Sequence, residues 1–151
     1  MVAVVVEQKL ESLRRCLARV QDKCPDSLER LASDADAQDI LVLNLTRAVP
    51  LCVDIATHLI GRLEGPLPQT MGQSFDELAR LGVLDAEIAV SLKKAVGFRN
   101  VAVHNYDAID WAIVMSICRD KLPDFRRFAE QVRPDDRSDG WRCPRTIAPR
   151  G

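Results

Sequence analysis

The sequence predicts an all-α fold, an up-and-down helical bundle, from two observations. Apolar residues recur at steps of three and four over long stretches, which is the spacing of one face of an α-helix. The alternation of apolar and polar residues that marks a strand, flanked by turn pairs, is absent from the sequence. The 151 residues fit a single domain with one core. We expect a helical domain over residues 1–132 and a flexible tail over residues 133–151, in which the isolated Trp141 docks.

Two long helices are predicted in the first half of the chain. The first, over residues 2–23, has its apolar face at Leu10, Leu13, Leu17 and Val20. A second begins at Asp34, because an aspartate suits the free N–H groups and the positive end of a first helical turn. Its apolar positions form a heptad seam at Leu41, Leu45, Ala48, Cys52, Ile55 and Leu59. A kink is expected at Pro50, because proline lacks the N–H group that a helix interior needs.

A loop and two further helices are predicted next. Residues 61–72 contain three glycines and two prolines, which are typical of a loop. Ser74–Leu81 is expected to form a short helix that ends at Gly82. Asp85 is then expected to cap a helix whose apolar positions include Ile88, Leu92, Ala95 and Val96, with Arg99 on a related face.

A long C-terminal helix and a dimer are also expected. Asp107, with Asp110 three residues later, is predicted to open this helix, and Pro123 is expected to bend it. The seam over Leu41–Leu59 and the helix face over Ile109–Phe128 offer more apolar surface than a small bundle can hide. A two-fold homodimer is therefore expected.

Composition excludes several classes of protein. The formal net charge of −1 excludes nucleic-acid binding through bulk basicity, so any RNA contact must be local. Five cysteines without a CxxC pair, beside only two histidines, argue against a zinc site and favour reduced thiols in a cytoplasmic protein. The apolar run at Val2–Val6 lacks the basic start of a signal peptide. No segment is expected to be long enough to span a membrane.

The stretch Arg99–Tyr106 concentrates side chains suited to chemistry. It contains the only tyrosine of the chain and one of the two histidines. These side chains are expected in a short polar gap between an apolar segment that ends near Phe98 and another that begins near Ile109. Together they provide a phosphate-binding guanidinium, an amide, a proton carrier and a phenol that can stack on a base.

Those residue types match the needs of RNA cleavage without a metal. Attack by the 2′-hydroxyl requires a base for its proton and an acid for the leaving 5′-oxygen, and histidine ionises near neutral pH. One histidine serves only one role in a step, so a dimer that pairs two copies of His104 would supply both. The guanidinium of Arg99 can bind phosphate oxygens and stabilise the added charge of the transition state. Tyr106 can stack on an unpaired base.

The segment Phe98–Asp110, which reads FRNVAVHNYDAID, strongly resembles the signature of the HepT-like toxins of the HEPN superfamily. The segment Val53–Ile60 resembles the same family's pattern. So does the spacing of Pro68, Phe75, Leu78 and Gly82. The resemblance extends over about residues 7–132, and only the tail departs from it.

The resemblance implies the toxin of a type VII toxin–antitoxin pair. It implies a helical homodimer whose two motifs face each other across a cleft, acting as a metal-independent endoribonuclease that needs no cofactor of its own. The implied partner is an MntA-like nucleotidyltransferase antitoxin, which uses ATP and Mg²⁺ to place AMP on Tyr106 and so silences the toxin. By position in the motif, Arg99 and His104 would be the catalytic pair and Asn100 a supporting polar residue.

Structural roles remain open for each of these residues. His104 could cap backbone carbonyls, and Arg99 could form an ion pair with Asp54 or Asp107. Asn100 could merely end a helix, and the ring of Tyr106 could simply pack. For the whole protein, the alternative is a non-catalytic helical subunit that binds a nucleotidyltransferase and presents the tyrosine as its substrate. The hypothesis of an enzyme that acts on a small molecule is weaker, because no cofactor-binding loop or pair of acidic residues is present in the sequence.

Overall fold

The computed structural model describes residues 2–133, which form a helical bundle without a strand in that range. The helices are, in order, α1 (Val2–Lys23), α2 (Leu28–Ser33), α3 (Ala35–Arg62), α4 (Met71–Arg80), α5 (Ala86–His104), a 3₁₀ turn (Tyr106–Ala108), α6 (Trp111–Ser116), a π-helical turn (Ile117–Lys121) and α7 (Leu122–Val132). The predicted all-α fold is confirmed. The prediction for the tail, including Trp141, lies outside the described residues apart from Arg133.

Helices α1 and α3 pack along each other and form the largest part of the core. Helix α1 buries the apolar face that the sequence predicts, at Leu10, Leu13, Leu17 and Val20. Helix α3 begins as predicted, because the side chain of Asp34 accepts a hydrogen bond from the backbone N–H of Ala37 at 3.1 Å. It continues through Pro50 to Arg62.

The heptad seam of α3 is buried inside a single chain. All six predicted positions are at most 1% exposed: Leu41, Leu45, Ala48, Cys52, Ile55 and Leu59. The prediction that this seam leaves apolar surface for a dimer is therefore wrong, because α1 covers it. Helix α3 also has the length and composition to cross a membrane, contrary to the sequence prediction, with a mean hydropathy of 1.6 over its most apolar window. Half of that window is buried within the bundle, and this core role accounts for its apolar character.

The structure adds one short helix and extends another. Helix α2, which the sequence analysis did not predict, begins at Ser27, whose hydroxyl accepts a hydrogen bond from the N–H of Arg30. Helix α4 begins at Met71 rather than at Ser74, because the hydroxyl of Thr70 caps its first turn by accepting from the N–H of Gln73. Its predicted end is confirmed. Gly82 follows with a φ of 83°, a conformation that glycine adopts without strain.

Helix α5 starts where predicted, but the side chain of Asp85 does not cap it. Its side chain makes no capping hydrogen bond to α5. Instead, its carboxylate accepts hydrogen bonds from Gln131 at 2.7 Å and from Arg127 at 3.2 Å. These two residues belong to α7, so Asp85 links the start of α5 to the last helix.

The predicted C-terminal helix is divided into three segments. It opens at Asp110, whose carboxylate accepts a hydrogen bond from the N–H of Ala112 at 2.9 Å. Asp107 lies earlier, in the 3₁₀ turn, so its predicted role as the opening residue is wrong. The π-helical turn at Ile117–Lys121 directly precedes α7, whose first turn contains Pro123. A wider turn accommodates the proline ring and its missing N–H, which disrupt regular α-helical bonding.

Candidate active site at the end of helix α5

Helix α5 carries three of the four predicted site residues on its last turns. The sequence predicted a polar gap after Phe98, but the helix continues to His104. The N–H of Asn105 still bonds to the carbonyl of Val101, at 2.8 Å. The gap is thus reduced to Asn105 and the 3₁₀ turn that contains Tyr106. Arg99, Asn100 and His104 are consequently held by helical backbone rather than by a loop.

Arg99 continues the buried stripe of α5. It follows Leu92 by seven residues and Ala95 by four, and both of these side chains are buried. A side chain at this spacing points toward the bundle. Arg99 is accordingly only partly exposed, and its Nε atom is buried with no hydrogen-bond partner. Within residues 2–133 it is the only buried side-chain nitrogen or oxygen in this condition.

The guanidinium of Arg99 lacks an anionic partner in the described part of the chain. Its contacts are one terminal nitrogen at 3.9 Å from the Met71 sulfur and 3.4 Å from the Asn100 side-chain oxygen. The predicted alternative of an ion pair with Asp54 or Asp107 is not observed among residues 2–133, and Asp54 pairs instead with Lys9 at 3.3 Å. An unsatisfied buried donor costs about 1–3 kcal/mol. The positive charge of Arg99 therefore has no counter-ion among residues 2–133 and can attract an anion from outside them.

His104 is exposed on another side of α5. Its side chain makes no hydrogen bond to any residue between 2 and 133, so the alternative of carbonyl capping is not observed there. At 3.6 residues per turn, Arg99 and His104 lie roughly 140° apart around the helix axis. Asn100, also exposed, lies beside Arg99 and accepts its weak hydrogen bond. One helix therefore does not direct both proposed catalytic groups to a single point.

Tyr106 is anchored by a residue that the sequence analysis missed. Its hydroxyl donates a hydrogen bond to Oδ1 of Asp39, on α3, at 2.9 Å. Its ring packs edge-on against Trp111, with ring centroids 6.1 Å apart. Partial burial and the carboxylate of Asp39 raise the pKa of Tyr106 to about 12. Tyr106 as a whole still remains 41% exposed, so its side chain both packs against Trp111 and is accessible from solvent.

An apolar groove lies next to this site, between α5 and the C-terminal segments. It has a volume of about 310 Å³ and its walls include Phe98 and Ile113. Lys94 and Lys121 also line it. No cluster of three or more histidine, cysteine or acidic side chains that could hold a metal ion occurs among residues 2–133.

Similarity to known proteins extends over most of the chain. The family model described as ribonuclease HepT-like matches residues 11–132. The chain is 31% identical to the mRNA nuclease HepT of Shewanella oneidensis, over 87% of this chain and 98% of that protein. It is 30% identical to the tRNA nuclease HepT of Aphanizomenon flos-aquae, over 71% of this chain and 73% of that protein.

A solved structure shares the fold. It is the tri-AMPylated HEPN toxin of Shewanella oneidensis in complex with an MNT antitoxin, and it superposes with a TM-score of 0.80 at 32% sequence identity. The match covers 85% of this chain and 96% of the toxin. The family match, the two relatives and the shared fold lead to one conclusion: this chain belongs to the ribonuclease HepT-like family.

Proposed function

We propose that this chain is the endoribonuclease toxin of a type VII toxin–antitoxin pair, and that it acts in the cytoplasm, where its RNA substrate occurs. The observation that carries the proposal is the partly buried guanidinium of Arg99, which has no anionic partner among residues 2–133 and lies on the last turns of the same helix as the exposed imidazole of His104. An arginine without a counter-ion attracts an anion, and its planar donors match a phosphate. The names of the two relatives, an mRNA nuclease and a tRNA nuclease, support RNA as the source of that phosphate.

The proposed reaction divides the work between the two side chains. The 2′-hydroxyl of the RNA attacks the adjacent phosphorus, and the 5′-oxygen leaves. His104 takes the proton of the attacking hydroxyl in one copy and donates a proton to the leaving oxygen in the other. Arg99 stabilises the added negative charge on the phosphate oxygens. Asn100 keeps the guanidinium in place through its side-chain oxygen.

The surface of α5 supports the homodimer that this division requires. Val90, Lys94, Gly97 and Val101 follow one another at steps of four, three and four, and His104 comes three residues later on the same face. Val90 is 54% exposed and Val101 is 41% exposed, and the face is open at Gly97, where an added Cβ would meet no atom within 4 Å. Pairing this face about a two-fold axis would hide the two valines and bring the two copies of His104 together.

Tyr106 is the proposed control point. The toxin in the related solved complex is tri-AMPylated and is bound to an MNT antitoxin. Here a nucleotidyltransferase antitoxin would transfer AMP from ATP, with Mg²⁺, to the exposed phenol. The added phosphodiester would bring negative charge and bulk beside Arg99 and His104, where the RNA phosphate must bind. Modified protein would therefore lose activity.

The test is an RNA cleavage assay with excess EDTA, performed on the purified chain before and after treatment with its cognate antitoxin and ATP–Mg²⁺. We expect cleavage to continue in EDTA before treatment. After treatment, intact mass should rise by whole AMP units and cleavage should fall. Cleavage that stops in EDTA and returns with Mg²⁺ would contradict metal independence. AMP incorporation into a chain that never cuts RNA would favour the alternative, a non-catalytic subunit of a nucleotidyltransferase.

A further inference from the structure

Asp39 is the acidic side chain that accepts the hydrogen bond of the proposed AMP acceptor, Tyr106. Its Oδ1 atom lies 2.9 Å from the Tyr106 hydroxyl oxygen, although 67 positions separate the two residues in sequence. Both side chains are exposed, so a nucleotide held by a partner protein can approach them. The distance lies within the range over which a carboxylate can accept a proton directly.

The phenol of Tyr106 needs such an acceptor. With a pKa of about 12, only roughly one molecule in 10⁵ carries the tyrosinate form at pH 7. A neutral phenol is a weak nucleophile toward phosphorus, and a base that removes the proton during attack activates it. Asp39 raises the pKa of the phenol and therefore does not favour tyrosinate before the reaction. It would instead accept the proton while the bond between the phenol oxygen and phosphorus forms.

We propose that Asp39 is the base for AMP transfer to Tyr106, an inference that rests on the proposed modification of this tyrosine. The phenol oxygen forms a bond to the α-phosphorus of ATP, and its proton passes to the carboxylate of Asp39. The bond from the α-phosphorus to the oxygen that bridges to the β-phosphate breaks, and pyrophosphate leaves with that electron pair. The carboxylic acid of Asp39 then loses its proton to solvent. The toxin thereby supplies a catalytic residue for its own inactivation.

The position of the ring fits this role. Trp111 holds it edge-on from α6, and Asp39 orients the hydroxyl from α3. The 3₁₀ turn that carries Tyr106 is too short to fix the side chain alone. The two contacts orient the side chain, which remains 41% exposed and so accessible to an incoming phosphate.

The experiment compares initial rates of AMP incorporation into the wild-type chain, Asp39→Asn and Asp36→Asn. The full-length chain is treated with a saturating amount of its cognate nucleotidyltransferase and ATP–Mg²⁺, from pH 7 to pH 9.5, and followed by intact mass. Asparagine keeps an oxygen that accepts the hydrogen bond of the phenol but cannot take its proton. Asp36 lies one turn earlier on the same helix, is exposed, and serves as the matched control.

We expect Asp39→Asn to lower the rate at saturation by roughly 10²-fold or more at pH 7, with the deficit shrinking as the pH rises and tyrosinate forms. Asp36→Asn should follow the wild-type profile. A wild-type rate of AMP incorporation for Asp39→Asn would overturn the proposal. So would a reduction of that rate that is the same at all pH values, because it would show that Asp39 only positions the tyrosine. Absence of AMP from the wild-type chain would instead remove the proposed modification of Tyr106. Equal thermal melting of the three chains verifies that all are folded.

Discussion

The seam of α3 and the end of α5 follow the same helical spacing but use their side chains in opposite ways. Along the seam, every predicted apolar position is buried, from Leu41 to Leu59. On the last turns of α5, the stripe formed by Leu92 and Ala95 continues into Arg99, an arginine with a buried and unpaired nitrogen. One helix completes the core, and the other interrupts its own buried stripe with a charge.

The difference identifies which region serves stability and which serves function. A buried polar group without a partner lowers stability, so native proteins contain few of them. A position that breaks local rules without compensation within the fold is expected where a ligand completes the interaction. The seam has no such position among its six residues, and α5 has one at Arg99, five residues before an exposed histidine and seven before the only tyrosine. Substitutions in the two regions should therefore affect different measurements.

The largest effect is expected at His104. His104→Ala removes an exposed imidazole that no residue between 2 and 133 holds by a hydrogen bond, so the free energy of unfolding should change by less than about 0.5 kcal/mol. Loss of the proton carrier should lower the rate of RNA cleavage by roughly 10²- to 10⁴-fold. Val103→Ala, at a neighbouring exposed position, should leave the cleavage rate unchanged. A folded His104→Ala chain that cuts RNA at the wild-type rate would exclude this histidine from the mechanism.

The seam should show the reverse pattern. Leu45→Ala removes a side chain that is 1% exposed, and the resulting cavity should lower the free energy of unfolding by about 2–5 kcal/mol. Leu43→Ala, on the same helix but 55% exposed, should change it by less than about 0.5 kcal/mol. Urea denaturation of the two variants measures the contrast. Similar destabilisation by both would mean that the seam is not the centre of the core.

The seam and the motif were predictable because both are local patterns. Spacing alone identifies the buried face of α3, and the capping role of Asp34 depends only on the first turn that follows it. The same reasoning placed Arg99 on the buried side of α5. These features require no knowledge of what lies elsewhere in the chain, which is why the sequence analysis and the structure agree on them.

Features that depend on distant residues were not predictable. Asp39 meets Tyr106 across 67 positions, and nothing in the spacing of the motif points to α3. Asp85 starts α5 without capping it, because Gln131 and Arg127 occupy its carboxylate. The extent of α5 was also underestimated, since polar residues at a helix end resemble a loop in sequence. The roles of Arg99, Asn100 and His104 in catalysis stay predictions.

The proposed dimer interface provides a third test of the difference between the seam of α3 and the surface of α5. The sequence analysis placed the interface on the seam over Leu41–Leu59 and on the helix face over Ile109–Phe128, whereas the proposed interface contains the exposed Val90 and Val101 of α5. Val101→Glu would oppose two carboxylates across the proposed two-fold axis, and the dissociation constant should rise roughly ten-fold or more. Val4→Glu, at an exposed position of α1, is the control. Sedimentation at several concentrations measures both. A dimer that tolerates Val101→Glu would place the interface away from this face of α5.

The smallest effect concerns the hydroxyl of Tyr106, and a single chromophore reports it. Because this is the only tyrosine of the chain, the near-ultraviolet absorbance of tyrosinate arises from one side chain.

In the wild-type chain the pKa of Tyr106 is raised to about 12, first by burial and then by Asp39. Asp39→Asn removes a negative charge that opposes ionisation, so the pKa should fall. It should remain above the ordinary value of 10, because burial, the largest single cause of the shift, is unchanged. Spectra between pH 9 and pH 11 should therefore show more tyrosinate in the variant than in the wild-type chain, with Asp36→Asn as the control. Identical titrations would mean that Asp39 and Tyr106 do not interact in solution, and the end of α5 would then lose its link to the N-terminal part of α3.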